Sequence, residues 1–202
     1  MEQRILLAFS GKMYTGKDTS ADIWVKRYLE YAQRMNAMNF PVRGYQRLAF
    51  ADGIKQVCKS VFDLTDEDVN TPEGKKKKLE VYGKTVRELL QGIGEGLRQY
   101  ISQDIWVIRT ITQIDKLLNT TDCNILVTDI RYVNELFALK VRGFTTVKLI
   151  RDTGITDDHP SEKEIKNEYF DYVIENNGTR EELEKKLTDT IPGYRPVGLV
   201  GA

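Results

Sequence analysis

Histidine is almost missing from this chain: among 202 residues only His159 occurs. That leaves too few imidazoles for a histidine-based zinc site. Cysteine is nearly as scarce, and Cys58 and Cys123 are far apart in sequence. They exclude a disulfide framework and suit a reducing compartment, as small buried apolar residues. Net charge is absent too, with 30 basic and 30 acidic residues. No overall field draws the chain to nucleic acid or to an acidic membrane, so any positive patch must be local. The run 75–78 of four lysines beside Glu80, without interleaved aromatics, reads as a solvated face. Long apolar runs are lacking as well. Nothing spans a bilayer, and Glu2 and Arg4 precede only five apolar residues, too few for a secretory core. The expectation is a cytoplasmic protein. What remains, 41% hydrophobic and 30% charged residues, describes a globular chain with one well-buried core.

Hydrophobic pattern gives the organisation. Residues 5–9 form a short apolar run suited to a strand covered on both faces. Residues 18–38 turn helical, with Ile23, Tyr28, Tyr31 and Met35 along one face. Residues 48–50 read as a second strand, followed by a helix through Ile54, Val57 and Val61. The polar stretch 63–85 lacks a period and is expected as a surface excursion. Helices are expected over 85–100 and 103–118, and a third strand over 124–129, ending on Asp129. A helix over 133–141, a strand over 145–150, a polar loop to about 167 and a short strand over 172–174 follow. Thr179, with Glu182 three residues on, signals a capping box and the last helix. The tail from 191 should be irregular. No repeat and no linker breaks this order. Alternating strands and helices imply one α/β domain, a five-stranded parallel sheet flanked by helices. The loops after Phe9, Phe50, Asp129 and Ile150 should share its carboxyl edge, where ligands bind.

After the first strand stands GKMYTGKDT, residues 11–19. Gly11 and Gly16 let the backbone wrap an anion, and Lys12 and Thr15 lie within the wrap. Lys17 adds a full charge aimed at terminal phosphates, and the following helix adds its positive end. An apolar strand before and an amphipathic helix after are the flanks a P-loop requires, so a plain glycine turn is the weaker reading. Asp18 stands where the usual hydroxyl ligates magnesium. Its carboxylate suits that ion directly or through water, or serves as a helix-start acid favouring the dipole. Thr19 caps the helix start or touches an inner phosphate. Asp129 occupies the strand end where P-loop enzymes keep the acid of the magnesium shell, or caps a turn. ATP and Mg2+ are therefore the expected cofactors, with Asp18 and Asp129 as candidate metal ligands. No N/T-K-x-D motif occurs, which argues against a regulatory GTPase.

The pieces GKMYTGKDT, LAFADGIKQV, TVRELLQGIGEGLRQYISQDIWV, TDIRYVNE, the HPSE loop and VIENNGTREEL occur in order across residues 5–187. Together they resemble the deoxynucleoside monophosphate kinases of bacteriophages. The resemblance implies a P-loop NTPase fold of the nucleoside monophosphate kinase type. It implies monophosphate-binding helices over about 51–118 and a lid over about 151–167. The activity implied is transfer of the ATP γ-phosphoryl group to a deoxynucleoside monophosphate, with a possible homodimer acting in a host cytoplasm. No nucleic-acid or membrane partner is expected.

Both substrates are polyanions, so the chemistry asks mainly for positioned positive charge. By resemblance Arg87 holds the acceptor phosphate. Gln91, four residues on and on the same helical face, approaches base or sugar. Arg98 serves either role. Trp106 stacks on the base or packs in the core between Ile105 and Val107. Arg131, two residues after Asp129, faces the same cleft and contacts the acceptor. Arg151 opens the lid and meets the charge on the transferring group while closure excludes water. The acceptor is already an anion and needs no base, so His159 is a lid contact or turn residue, near Ser161 and Glu162. Asn176, Asn177 and Gly178 read the adenine of ATP or form the turn into Thr179. Two rivals remain: another GKD-type kinase, such as a phosphomevalonate kinase, and a nucleotide-hydrolysing switch.

Overall fold

The computed structural model describes residues 4–40, 42–152, 154, 165–192 and 194. Most of the expected lid, with His159, Ser161 and Glu162, and nearly all of the tail lie outside the described residues. The chain forms two compact units, residues 1–48 with 114–202, and residues 49–113.

The first unit is built on strands β1 (Leu6–Ser10), β2 (Gly44–Leu48), β5 (Cys123–Ile130), β6 (Thr145–Ile150) and β7 (Tyr172–Glu175). They lie in the order β2-β5-β1-β6-β7, and every pairing is parallel. All carboxyl ends therefore share one edge, with β1 at the centre. Helices α1 (Lys17–Ala37), α7 (Val133–Lys140) and α8 (Arg180–Thr190) flank the sheet. The core joins Leu7, Phe9, Leu126, Val147 and Leu149 of the sheet to Ile23 and Trp24 of α1 and Leu183 and Leu187 of α8. Trp24 stacks on Tyr28 at 4.8 Å between ring centroids, and Tyr45 meets Trp24 edge-on at 6.2 Å. Removing a buried ring of this kind costs about 3–5 kcal/mol. Tyr194, fully buried, donates its hydroxyl to the Ser20 carbonyl at 2.6 Å and ties the segment after α8 to α1. Burial pushes its phenol well above the usual range.

The second strand differs from expectation. It covers Gly44–Leu48, whereas Ala49 and Phe50 already lead into α2 (Ala51–Phe62), with Phe50 in αR backbone as its N-cap. β2 is an edge strand with exposed Gln46 and Arg47, so it carries no apolar run to announce it. The buried Leu48 and Phe50 that suggested a strand mark its end and the helix start instead.

The second unit holds α2, α3 (Asp66–Asn70), α4 (Pro72–Lys76), the hairpin β3 (Lys78–Leu79) and β4 (Lys84–Thr85), α5 (Val86–Tyr100), and the opening turns of α6 (Ile105–Thr120). The stretch 63–85 is thus more ordered than its composition suggests. Thr65 and Thr71 accept the N–H groups of Asp68 and Gly74 at 3.1 and 2.9 Å, so side-chain caps build these two short helices. Asp68 also accepts from Lys77 at 2.9 Å. Cys58, Leu64, Val69 and Val86 form the core here, and burial pushes the Cys58 thiol up to about 11. Among the described residues no helix is long and apolar enough to cross a membrane.

Candidate active site

The loop between β1 and α1 is shaped by its glycines. Gly11 has φ 147°, and a Cβ there would collide with Thr15 Oγ1 and lie 2.6 Å from the Leu149 carbonyl. Gly16 has φ 101° and would press on the Asn176 amide. Only glycine fits either place. A loop that faces an anion with its N–H groups must turn its carbonyls elsewhere, and those of Gly11, Lys12 and Thr15 are engaged. Lys17 Nζ donates to the carbonyls of Gly11 and Lys12, each at 2.7 Å, and the side chain is buried. Thr15 Oγ1 also donates to Lys12 O at 2.9 Å. The Thr15 carbonyl accepts from Asn176 Nδ2 at 2.9 Å.

Asn176 therefore reaches the loop from the end of β7 and braces it. Of its two expected roles, adenine reading and turn formation, the structure displays neither directly. Asn177 and Gly178 are exposed and lead into the Thr179 capping box, where Thr179 N–H meets Glu182 Oε2 at 2.9 Å. Thr19 is not a helix cap. The N-cap is Gly16, and Thr19 lies inside the first turn of α1.

Asp18 points outward from that turn, and Arg47 Nη2 donates to its Oδ1 at 2.5 Å. The other arm of Arg47 donates to Asp22 at 2.7 Å. Asp129 is the penultimate residue of β5, not its last. β1 and β5 slip register between Ala8–Val127 and Ser10–Ile130, a bulge that places an extra residue at the strand end and re-aims the side chains there. The turn beyond is held by buried Glu135, whose carboxylate accepts the N–H groups of Arg131 and Tyr132 at 2.8 and 3.1 Å. Among the described residues no group of three or more His, Cys, Asp or Glu side chains forms a metal cage. Single carboxylates such as exposed Asp18 and half-buried Asp129 suit a magnesium ion that keeps its waters and phosphate oxygens.

Arg151 is exposed directly after β6. Lys148, buried in that strand, donates to Ile165 O at 2.6 Å and Asn167 Oδ1 at 2.8 Å, which roots the chain where it returns to the sheet.

In the second unit, Arg87 and Gln91 are half-buried on α5, whose start is set by the Thr85–Glu88 capping box. Arg98 is buried and pairs with Glu95 at 3.1 Å. Trp106 is 3% exposed and donates its indole N–H to the Gly94 carbonyl at 3.0 Å. Packing is what the structure displays for this ring. Sequence reasoning missed Arg47, Lys148, Glu135 and the brace from Asn176. Each is defined by partners remote in the chain or by backbone groups, which no spacing rule reports. It also missed Arg109, whose Nη2 donates to Gln56 Oε1 at 3.0 Å while its buried Nη1 finds no acceptor among the described residues.

A glycine-bounded loop after the central strand of a parallel sheet, closed over by its own lysine and running into a helix, defines a P-loop nucleotide-binding protein. Comparison with known proteins narrows the class. Residues 75–187 match the family model of deoxynucleotide monophosphate kinases, and the chain belongs to that family of phosphotransferases. Over 200 residues it is 26% identical to a protein of Acanthamoeba polyphaga mimivirus provisionally named a deoxynucleotide monophosphate kinase, covering 93% of this chain and 96% of that one. Among solved structures, a mutant of the Mycobacterium tuberculosis APS kinase CysC aligns over 93% of this chain and 97% of its own, at 16% identity and a TM-score of 0.44.

Proposed function

We propose that this protein transfers the γ-phosphoryl group of ATP to a deoxynucleoside monophosphate, releasing ADP and the deoxynucleoside diphosphate. The observation that carries the reading is the loop folded around Lys17, in a chain of this family. Lys17 lies over loop carbonyls, and an entering phosphate chain offers its ammonium stronger, charged acceptors in their place. The transferring group gains negative charge that Lys17 and Arg151 are proposed to meet. Arg87, Arg98 and Arg131 are proposed to hold the acceptor phosphate, and Gln91 to bound its base. Asp18 and Asp129 are proposed to hold magnesium, which would neutralise charge on the β- and γ-phosphates. Gly11, Lys12, Thr15, Gly16 and Thr19 line the donor site. Asn177 and Gly178 are proposed to approach the adenine.

A coupled assay offering ATP-magnesium with a panel of monophosphates tests this. Acceptor-dependent ADP release with deoxynucleoside monophosphates is the expected result. Steady ADP release with no acceptor would make the protein a nucleotide-hydrolysing switch. Turnover with phosphomevalonate alone would make it a different GKD-type kinase.

A further inference from the structure

The aspartate that departs from the usual P-loop pattern has a partner of its own. Arg47, near the carboxyl end of β2, divides its guanidinium between two carboxylates of α1, Asp18 through Nη2 at 2.5 Å and Asp22 through Nη1 at 2.7 Å. Asp18 and Asp22 are four residues apart, one above the other on one helical face. The planar fork of arginine is what allows one side chain to span both. Asp18 Oδ1 is thus occupied by a cation at the place where the proposed metal would draw on the same carboxylate. Asp22 has no place in the proposed chemistry. It offers Arg47 somewhere else to go.

We propose that Arg47 occupies Asp18 until magnesium-nucleotide arrives, and that Asp22 is the holding site to which Arg47 then retreats. The inference rests on the reading of Asp18 as a magnesium ligand. Without Asp22 the guanidinium has only Asp18 and competes harder with the metal. Without Arg47 the competition ends. The two substitutions, although both break the same ion-pair network, move magnesium dependence in opposite directions.

The test is calorimetric binding of a non-hydrolysable ATP analogue to the full chain across a magnesium series, with melting temperature recorded in parallel. Arg47→Gln should lower the half-saturating magnesium and Asp22→Asn should raise it, each by roughly two- to five-fold, the range a surface ion pair carries. Bulk charge alone gives the same two signs, so two further variants decide. Arg47→Lys keeps the charge but cannot span both carboxylates, and should shift the half-saturating magnesium away from the wild-type value. In the Asp22→Asn background, Arg47→Gln should act more strongly than it does alone, a non-additive cycle. Shifts of the same sign, a lysine variant matching the wild type, or an additive cycle would each overturn the proposal. Should Asp18→Asn leave magnesium dependence unchanged, the metal reading of Asp18 fails first. If Asp18 is sensitive and the cycle is additive, only the role of Arg47 and Asp22 fails.

Discussion

Replacing Asn176 by alanine separates bracing from base reading. The side chain is buried, and its amide donates to the Thr15 carbonyl at 2.9 Å. The Asn176 backbone N–H is held independently by Ile150 O at 2.7 Å, so the turn keeps its anchor in the variant. The loss is then confined to one hydrogen bond and to a buried carbonyl left without its donor, about 1–3 kcal/mol. Denaturant unfolding should show a loss of that size. Because Thr15 lies in the loop that would wrap the phosphates, which every nucleoside triphosphate shares, ATP and GTP should weaken by the same factor. Their affinity ratio should stay as in the wild type. Asn176→Asp, which sets an acceptor against the Thr15 carbonyl, should be worse on both counts. Unchanged stability together with a collapsed preference for ATP over GTP would refute the brace and restore Asn176 as a reader of adenine.

Other outcomes follow from the same geometry. Lys17→Met should abolish transfer with the fold intact, a loss of roughly 3–4 kcal/mol of transition-state stabilisation; near-normal turnover would remove the P-loop from the chemistry. Arg87→Ala should raise the apparent acceptor constant and leave ATP binding untouched, whereas Arg151→Ala should lower turnover with little change in either affinity. Weakened ATP in the Arg87 variant would show that α5 does not serve the acceptor. Asp68 provides a pH test. Hydrogen bonds from Thr65 and the Lys77 ammonium lower its pKa from 3.8 to about 2. A lowered folded pKa adds stability that is complete above the unfolded value and lost as pH falls through the folded one. Acid titration should thus destabilise the protein between about pH 4 and 2, and Asp68→Asn should flatten that part of the curve, measured by unfolding at each pH.

Much of this protein was legible before its structure. Buried parallel strands such as β1 and β5 announce themselves by apolar runs, residues 6–9 and 125–127, and α1 by its one-sided spacing, because both patterns report burial directly. The loop 11–17 was legible because a positive φ at Gly11 and Gly16 demands glycine whatever surrounds it. The Thr179–Glu182 capping box is local chemistry and stood in the sequence as it stands in the fold. β2 was misplaced because an edge strand with exposed Gln46 and Arg47 carries no apolar period. The short helices α3 and α4 escaped because Thr65 and Thr71 build them by capping, which polar composition conceals. What only tertiary structure decided are the partnerships across the chain. Asn176 meets Thr15 across 161 positions, Arg47 meets Asp18 across 29, and Tyr194 meets Ser20 across 174. Hydrophobic period records whether a side chain is buried. It holds no record of which distant carbonyl or carboxylate a polar group will face, because that depends on how the strands are ordered in the sheet.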